Sequence, residues 1–241
     1  MASDRTVLCI PSSWETRADL ISSLIDADTG YLFAGGILME RESQAAFRLH
    51  FEIADEHMAS AFHAAGPHWR GSSEMAAIAQ HKSVVYVVDE GGSRIRIEAL
   101  MAAGAALIDA GGLGVKVESS GVAHSPAQWR DYVANVHLLS AYRAFVVTVG
   151  SDAPYTCGMH NFGMKDVRLP AGIPNAAELA SLFSWYLFSE EPDIRPGHTF
   201  SAAADAPKFR VVEAEGVEYA ADSLFVNEFG TWGLVPMEGE L

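Results

Sequence analysis

Strand and helix patterns alternate along this chain in an order that limits the folds it can adopt. The apolar run TVLCI is followed by a helix pattern in which Ser12 and Glu15 have capping-box spacing. Two strand patterns, YLFAGGILME and AAFRLHFEIA, then a short helix, EHMASAFHAAG, and a buried strand, SVVYVVD, come next. The predicted order over residues 5–90 is therefore β-α-β-β-α-β.

The same order returns over residues 114–215, after a connecting helix at 97–111 that is apolar around most of its circumference and should be buried. In this second half Ser125 is the expected N-cap of a helix, with Gln128 completing a capping box. We predict an α+β fold of two tandem ferredoxin-like βαββαβ units joined by the buried helix. The sheets should be mainly antiparallel, with helices packed on one face. A chance recurrence of the order is the alternative.

These elements are expected to form a single compact α+β domain over residues 1–241. The C-terminal tail, 216–241, carries a short strand pattern and a tryptophan and should pack back on the core.

The charge balance argues against several classes of partner. The chain has 31 acidic and 16 basic residues, a formal net charge of −15, and no cluster of Lys or Arg. Such a field repels phosphate backbones and anionic membrane surfaces, so we expect binding to neither nucleic acid nor membrane.

The longest apolar stretch of the chain, ALMAAGAALI, is far shorter than the roughly 20 residues that span a membrane. Two cysteines are too few for a disulfide framework, and the N-terminal segment does not resemble a signal peptide. A soluble cytoplasmic protein is the expectation.

The segment YTCGMHNFGMKD holds Cys157 and His160, which could form a metal half-site, a thiol with its base, or part of the core. If the segment is a strand, alternation points these two side chains apart, and a buried Cys157 is favoured. His57 and His63 lie six residues apart, off a common helix face. The glycine run AGGLG follows a helix instead of opening one, so it predicts a helix stop and no phosphate loop. We expect neither metal nor cofactor.

The segment KVESSGVAHSPAQW is the strongest candidate for chemistry. It places Glu118, Ser119, Ser120, His124 and Ser125 on one strand-to-helix connection. Backbone N–H groups and the helix dipole there favour an anion and keep His124 neutral. Glu118 and His124 are the candidate acid–base pair, with His160 from a neighbouring strand, and the three serines are candidate ligand-binding groups. Alternatively, these are ordinary loop residues and His124 hydrogen-bonds a neighbouring carbonyl.

Another feature concerns the surface. The helix predicted over 175–190 has apolar side chains at nearly every angle, so one stripe should face a sheet and the rest should be covered by the other half, the tail or a partner. The acidic stretches SEEPD and VEAEGVE are typical of solvated surface and would also suit a basic protein partner.

Six segments together resemble a family of uncharacterised bacterial proteins, domain of unknown function 4261. They are LCIPSSW, YLFAGGILME, VESSGVAHSPAQW, YTCGMHNFGMKD, GHTF and VNEFGTWGLVP, which run from residue 8 to 236. The resemblance implies a soluble, stand-alone bacterial protein of compact α+β architecture, and it assigns no role to any residue.

Two functions remain open from the sequence. The first is a non-catalytic binding or protein-interaction module, with an unknown protein partner or a second copy of the chain as its target. The second is a small-molecule hydrolase or transferase that uses Glu118 and His124. The two differ in whether these side chains converge on one pocket.

Overall fold

A computed structural model describes residues 6–135 and 137–237 of the protein. The chain divides into two compact units. We call residues 6–90 and 94–144 the N-terminal unit, and residues 91–93 and 145–237 the C-terminal unit. Gly92 belongs to the C-terminal unit because its N–H donates to the Asn161 carbonyl at 2.8 Å.

The N-terminal unit contains a seven-stranded antiparallel sheet within the described residues, in the order β2-β3-β4-β5-β1-β6-β7. Its strands are β1 Thr6–Ser12, β2 Tyr31–Ala34, β3 Ile37–Glu40, β4 Ala46–Ile53, β5 Ser83–Asp89, β6 Val115–Val117 and β7 Ala123–His124. Its helices are α1 Arg17–Asp26, α2 Met58–Ala64, α3 Ser73–Ile78, α4 Arg94–Asp109, α5 Pro126–Ala134 and α6 Leu138–Phe145, together with a 3₁₀ helix, Pro67–Trp69.

Helices cover both faces of this sheet, so the expectation of helices on one face is wrong for the N-terminal unit. Every residue of β1 is buried, the pattern of a strand with apolar cover on two sides. On one face Cys9 packs with Phe62 of α2 and Ile78 of α3. On the other, Leu8 lies against Gly104 of the buried helix α4.

The tandem ferredoxin-like arrangement is not confirmed. A helical crossover in a βαβ unit joins parallel strands, whereas β4 and β5, which flank α2 and α3, are antiparallel neighbours. Moreover, β6 pairs with β1 of the first sheet, although its sequence position places it in the expected second half. The boundary between the compact units lies at residues 144 and 145, and the expected halves were 5–90 and 114–215.

The C-terminal unit contains a six-stranded sheet within residues 145–237, in the order β11-β12-β13-β10-β9-β8. Its strands are β8 Val147–Val149, β9 Tyr155–Cys157, β10 Asp166–Arg168, β11 Thr199–Ser201, β12 Lys208–Ala214 and β13 Thr231–Pro236. Its helices are α7 Ala176–Glu190 and a 3₁₀ helix, Met159–Phe162. The pair β10–β13 is parallel and the other pairs are antiparallel. The expected tail strand, β13, therefore lies inside the sheet.

Helix α7 packs on one face of this sheet, where the Thr148 and Ser181 hydroxyls are 2.7 Å apart. The opposite face carries Tyr155, Cys157, Asp166 and Arg168, partly under the connection between β12 and β13. The described residues thus give an α+β architecture with seven α-helices and two mainly antiparallel sheets. None of the helices over these residues is long and apolar enough to cross a membrane.

Candidate functional site

Glu118 lies on the α2 and α3 side of the N-terminal sheet. Lys116 Nζ donates to Glu118 Oε2 at 2.6 Å, and Lys116 stands opposite Cys9, which in turn stands opposite Tyr86. Residues directly opposite one another in paired strands project to the same face. Burial, reinforced by the nearby Glu118 carboxylate, raises the pKa of the Cys9 thiol well above its ordinary value. The thiol is therefore protonated and inert at neutral pH.

His124 lies on the other face of that sheet. It pairs with Val115, the neighbour of Lys116, and alternation puts the two sets of side chains on opposite sides. The ring Nε2 donates to the Ala144 carbonyl at 2.9 Å, and Nδ1 lies 3.3 Å from the Gln128 side-chain amide. Burial lowers the pKa of His124 despite these contacts. The alternative interpretation of His124, a hydrogen bond to a neighbouring carbonyl, is confirmed.

Of the three candidate serines, Ser125 caps a helix, whereas the buried hydroxyl of Ser120 makes no hydrogen bond to any described residue. Ser125 is the N-cap of α5 and accepts from the Gln128 N–H at 3.2 Å, as predicted. The Gln128 side chain instead donates to the Tyr132 hydroxyl at 3.1 Å, so the capping box is only half formed. Ser119 and Ser120 are buried.

His160 belongs to the C-terminal unit, in the 3₁₀ helix that follows Gly158 and not in a strand as expected. The ring is buried, and neither nitrogen makes a hydrogen bond to any described residue. Burial lowers the pKa of His160 to about 4, an effect that the nearby Leu224 backbone offsets only in part.

Glu118 and His124 lie on opposite faces of one sheet, so they do not form the acid–base pair that the sequence predicts. His160 belongs to the C-terminal unit. Over residues 6–135 and 137–237, no group of three or more His, Cys, Asp or Glu side chains has a geometry that could hold a metal ion.

An open, partly apolar surface of the C-terminal unit runs along α7. Ala180, Phe183 and Leu187 form the buried stripe of this helix, at i, i+3 and i+7. Because the remaining angles are also apolar, the sheet cannot cover them all. Leu182 is left 41% exposed, and Leu179, Trp185 and Tyr186 are half-buried.

Two hollows that share Leu182 and Ala202 follow this exposed side of α7, and we name them together the α7 groove. Their volumes are about 490 and 500 Å³. The first is lined by Ile173, Leu179, Leu182, Pro207 and Phe209, and the second by Trp185, Tyr186, Ile194 and Phe200. Each is in the size range of binding clefts.

Aromatic contacts hold the far wall of the α7 groove in place. Phe200 of β11 packs on Phe183 and Tyr186, with ring centroids 4.7 and 5.7 Å apart. Glu178 lines one end of the groove and Glu190 the other. The groove is thus mainly apolar in its first hollow and more polar in its second, with a carboxylate at each end.

Comparison of the chain with protein-family models, curated proteins and solved structures finds no match in any of the three. The family resemblance therefore stays a prediction.

Proposed function

We propose that the protein is a non-catalytic interaction module, and that the α7 groove binds an apolar helical segment of a partner protein that carries basic residues at both ends. The observation that carries this proposal is the exposed apolar side of α7, bordered by the β11–β12 hairpin. Helix-in-groove recognition of this kind uses apolar anchors at i, i+3, i+4 and i+7.

The length and charge of the groove fit such an occupant. Glu178 and Glu190 are twelve residues apart on α7, which corresponds to about 18 Å of helix. A bound helix of about three turns would bring its two ends close to these carboxylates. Opposite charges at the rim steer association and fix the register of a bound segment.

A basic partner is a better occupant than a second copy of the chain. Each copy carries a formal net charge of −15, so two copies repel one another. The catalytic alternative loses its support, because Glu118 and His124 do not face one another.

A labelled peptide tests the proposal. The probe is a 14-residue amphipathic helix with leucines along one face and two lysines at each end, and binding is followed by fluorescence anisotropy. We expect saturable binding to the wild-type protein, and a loss of about tenfold or more in affinity for Leu182→Asn, which removes an apolar anchor without changing the charge.

Two controls distinguish binding in the α7 groove from nonspecific hydrophobic binding of the peptide. Ile21→Asn alters a similarly exposed isoleucine on α1 and should leave the affinity unchanged. A peptide with glutamates in place of its lysines should bind about tenfold more weakly, or not at all. Equal binding of both peptides, or an unaffected Leu182→Asn variant, would rule out the α7 groove as the site. Sedimentation of the protein alone reports whether a second copy fills the groove instead.

A further inference from the structure

A small cavity lies on the other face of the C-terminal sheet, away from the α7 groove. Its volume is about 90 Å³, room for a molecule of a few non-hydrogen atoms and too small for a nucleotide or a peptide. Strands β9, β10 and β13 form its floor, and the connection between β12 and β13 forms its roof through Val217, Tyr219 and Asn227.

Asp166 is the only carboxylate among the side chains that line this cavity. It is 6% exposed. Its Oδ1 accepts from the Thr156 hydroxyl at 3.1 Å and the Met159 N–H at 3.3 Å, and its Oδ2 accepts from Asn227 Nδ2 at 2.6 Å. A carboxylate has about four acceptor positions, so three protein donors leave room for one more.

The charge of Asp166 has no ion-pair partner among the described residues. Arg168 also lines the cavity, but its guanidinium Nη1 donates to the Glu215 carbonyl at 3.3 Å. Buried carboxylates are normally paired, because an isolated buried charge is costly. The Asp166 carboxylate is therefore held in no ion pair among the described residues, and it is the anionic group that the cavity offers to whatever enters it.

The remaining lining groups suit binding and not catalysis. Burial raises the pKa of the Cys157 thiol to about 12, so it is not a thiolate nucleophile at neutral pH. Tyr219 donates its hydroxyl to the Tyr155 hydroxyl at 3.1 Å, and Phe225 adds an aromatic ring to the lining. Aromatic rings beside a carboxylate are a common setting for an organic cation.

We propose that this cavity is a binding site for a small organic cation, such as a protonated primary amine. The ammonium group donates to the free acceptor position of Asp166, and the carbon chain lies against Tyr155, Tyr219 and Phe225. The site is independent of the α7 groove, since it uses the opposite face of the sheet.

Three probes of similar size and different charge test this inference: ethylammonium, ethanol and acetate. Each is titrated into the ¹⁵N-labelled protein while the amide shifts of residues 216–231 are followed. We expect saturable shifts with ethylammonium alone. Asp166→Asn should weaken that binding about tenfold or more, because it removes the charge and keeps the shape. Glu218→Gln, an exposed carboxylate on the same connection, should leave it unchanged.

Two further measurements keep the test decisive if Asp166→Asn does not fold. Val217→Trp fills the cavity from its exposed side and should abolish binding. Binding of ethylammonium should also be lost as the pH falls through about 6, where burial places the pKa of Asp166. Tyr155, Cys157, Arg168 and Tyr219 are the other titratable groups that face the cavity, and burial raises the pKa values of Cys157 and Tyr219 away from this range.

Several results would overturn the inference. Equal binding of ethanol and acetate would mean that the charge plays no part. An ethylammonium affinity that persists at pH 5 or in Val217→Trp would place the cation elsewhere. No saturable shift with any probe would leave the cavity as a water site only.

Discussion

His160 carries two polar nitrogens into the interior of the C-terminal unit without a hydrogen bond to any described residue. An unmatched buried polar group costs about 1–3 kcal/mol, and an apolar group of the same shape avoids that cost. We expect His160→Phe to leave the free energy of unfolding unchanged or to raise it by about 1 kcal/mol, as measured by urea unfolding.

His124→Phe is the matched control. His124 is buried to a similar degree but donates to the Ala144 carbonyl, so its removal leaves that acceptor unsatisfied. This variant should lose about 1–3 kcal/mol. A comparable loss in His160→Phe would contradict the account of His160 as an unsatisfied ring.

The burial of His160 and Asp166 also predicts that the free energy of unfolding depends on pH, with the two residues acting in opposite directions. Burial holds the pKa of His160 near 4, below its unfolded value of about 6.5, so His160 lowers stability as the pH falls from about 6.5 to 4. Burial holds the pKa of Asp166 near 6, above its unfolded value of about 3.9, so Asp166 lowers stability as the pH rises over nearly the same range. Each effect is about 3 kcal/mol at most.

Urea unfolding between pH 4 and 7 separates the two groups. Relative to the wild type, the free energy of unfolding of His160→Phe should rise as the pH falls, whereas that of Asp166→Asn should rise as the pH rises. Parallel profiles for both variants and the wild type would show that neither group is perturbed by burial.

At the scale of single residues, the sequence predicts the local role of a side chain well and predicts poorly which side chains face one another. Ser125 as an N-cap and Cys157 as a core residue follow from neighbouring residues alone, and both are confirmed. The pairing of Glu118 with His124 failed because the β6–β7 register decides which face each side chain occupies. A change of one residue in register exchanges the two faces, and the sequence of this short connection leaves that register open.

At the scale of elements, Gly104 lets helix α4 approach its neighbours closely. A Cβ at this position would lie 2.8 Å from Trp129 Nε1 and 3.1 Å from Leu8 Cδ1. Trp129 is buried and donates to the Met101 carbonyl at 3.1 Å, so its ring cannot move without breaking that bond. We expect Gly104→Ala to lower the free energy of unfolding by about 1–3 kcal/mol through overpacking, despite the higher helix propensity of Ala.

Ile95→Ala on the same helix is the control, since Ile95 is exposed and should tolerate the change within about 0.5 kcal/mol. Thermal unfolding of both variants gives the comparison. A stabilised Gly104→Ala would show that α4 does not pack closely on Trp129.

Helix α4 was predicted as a buried connecting helix, and its burial is confirmed. The prediction succeeded because an apolar circumference can be read from the residues of the helix alone. The start of α1 was misplaced: Ser12 belongs to β1, and Thr16 with Asp19 forms the capping box four residues along from the expected one. The N-cap of α7, Asn175, has φ 53° and makes no side-chain cap among the described contacts. The error at α1 comes from a segment that offers several capping residues close together, Ser12, Ser13 and Thr16.

At the scale of the whole molecule, strand order was the feature that the sequence could not give. Strands β1 and β5 are distant in the chain and adjacent in the sheet, and so are β1 and β6. Such pairings depend on how helices cover both faces of the sheet, not on the order of the elements. The α7 groove was anticipated in part, because the apolar excess of α7 is visible in the sequence. The far wall of the groove, which includes Phe200 and Pro207, was not anticipated from the sequence.

The net charge of the molecule affects which charge its partner should carry. If the α7 groove binds a partner as proposed, the formal net charge of −15 and the carboxylates of Glu178 and Glu190 should favour basic segments over acidic ones. Rim charges are screened by salt, so the affinity of such a segment should fall as ionic strength rises.

Selection from a random peptide library, displayed on phage and panned against the wild-type protein with Leu182→Asn as the counter-target, tests the α7 groove most directly. The account predicts enriched peptides with apolar residues at helical spacing and Lys or Arg at both ends, recovered on the wild type and not on the variant. Enrichment of acidic peptides, or of peptides that bind both proteins equally, would contradict it.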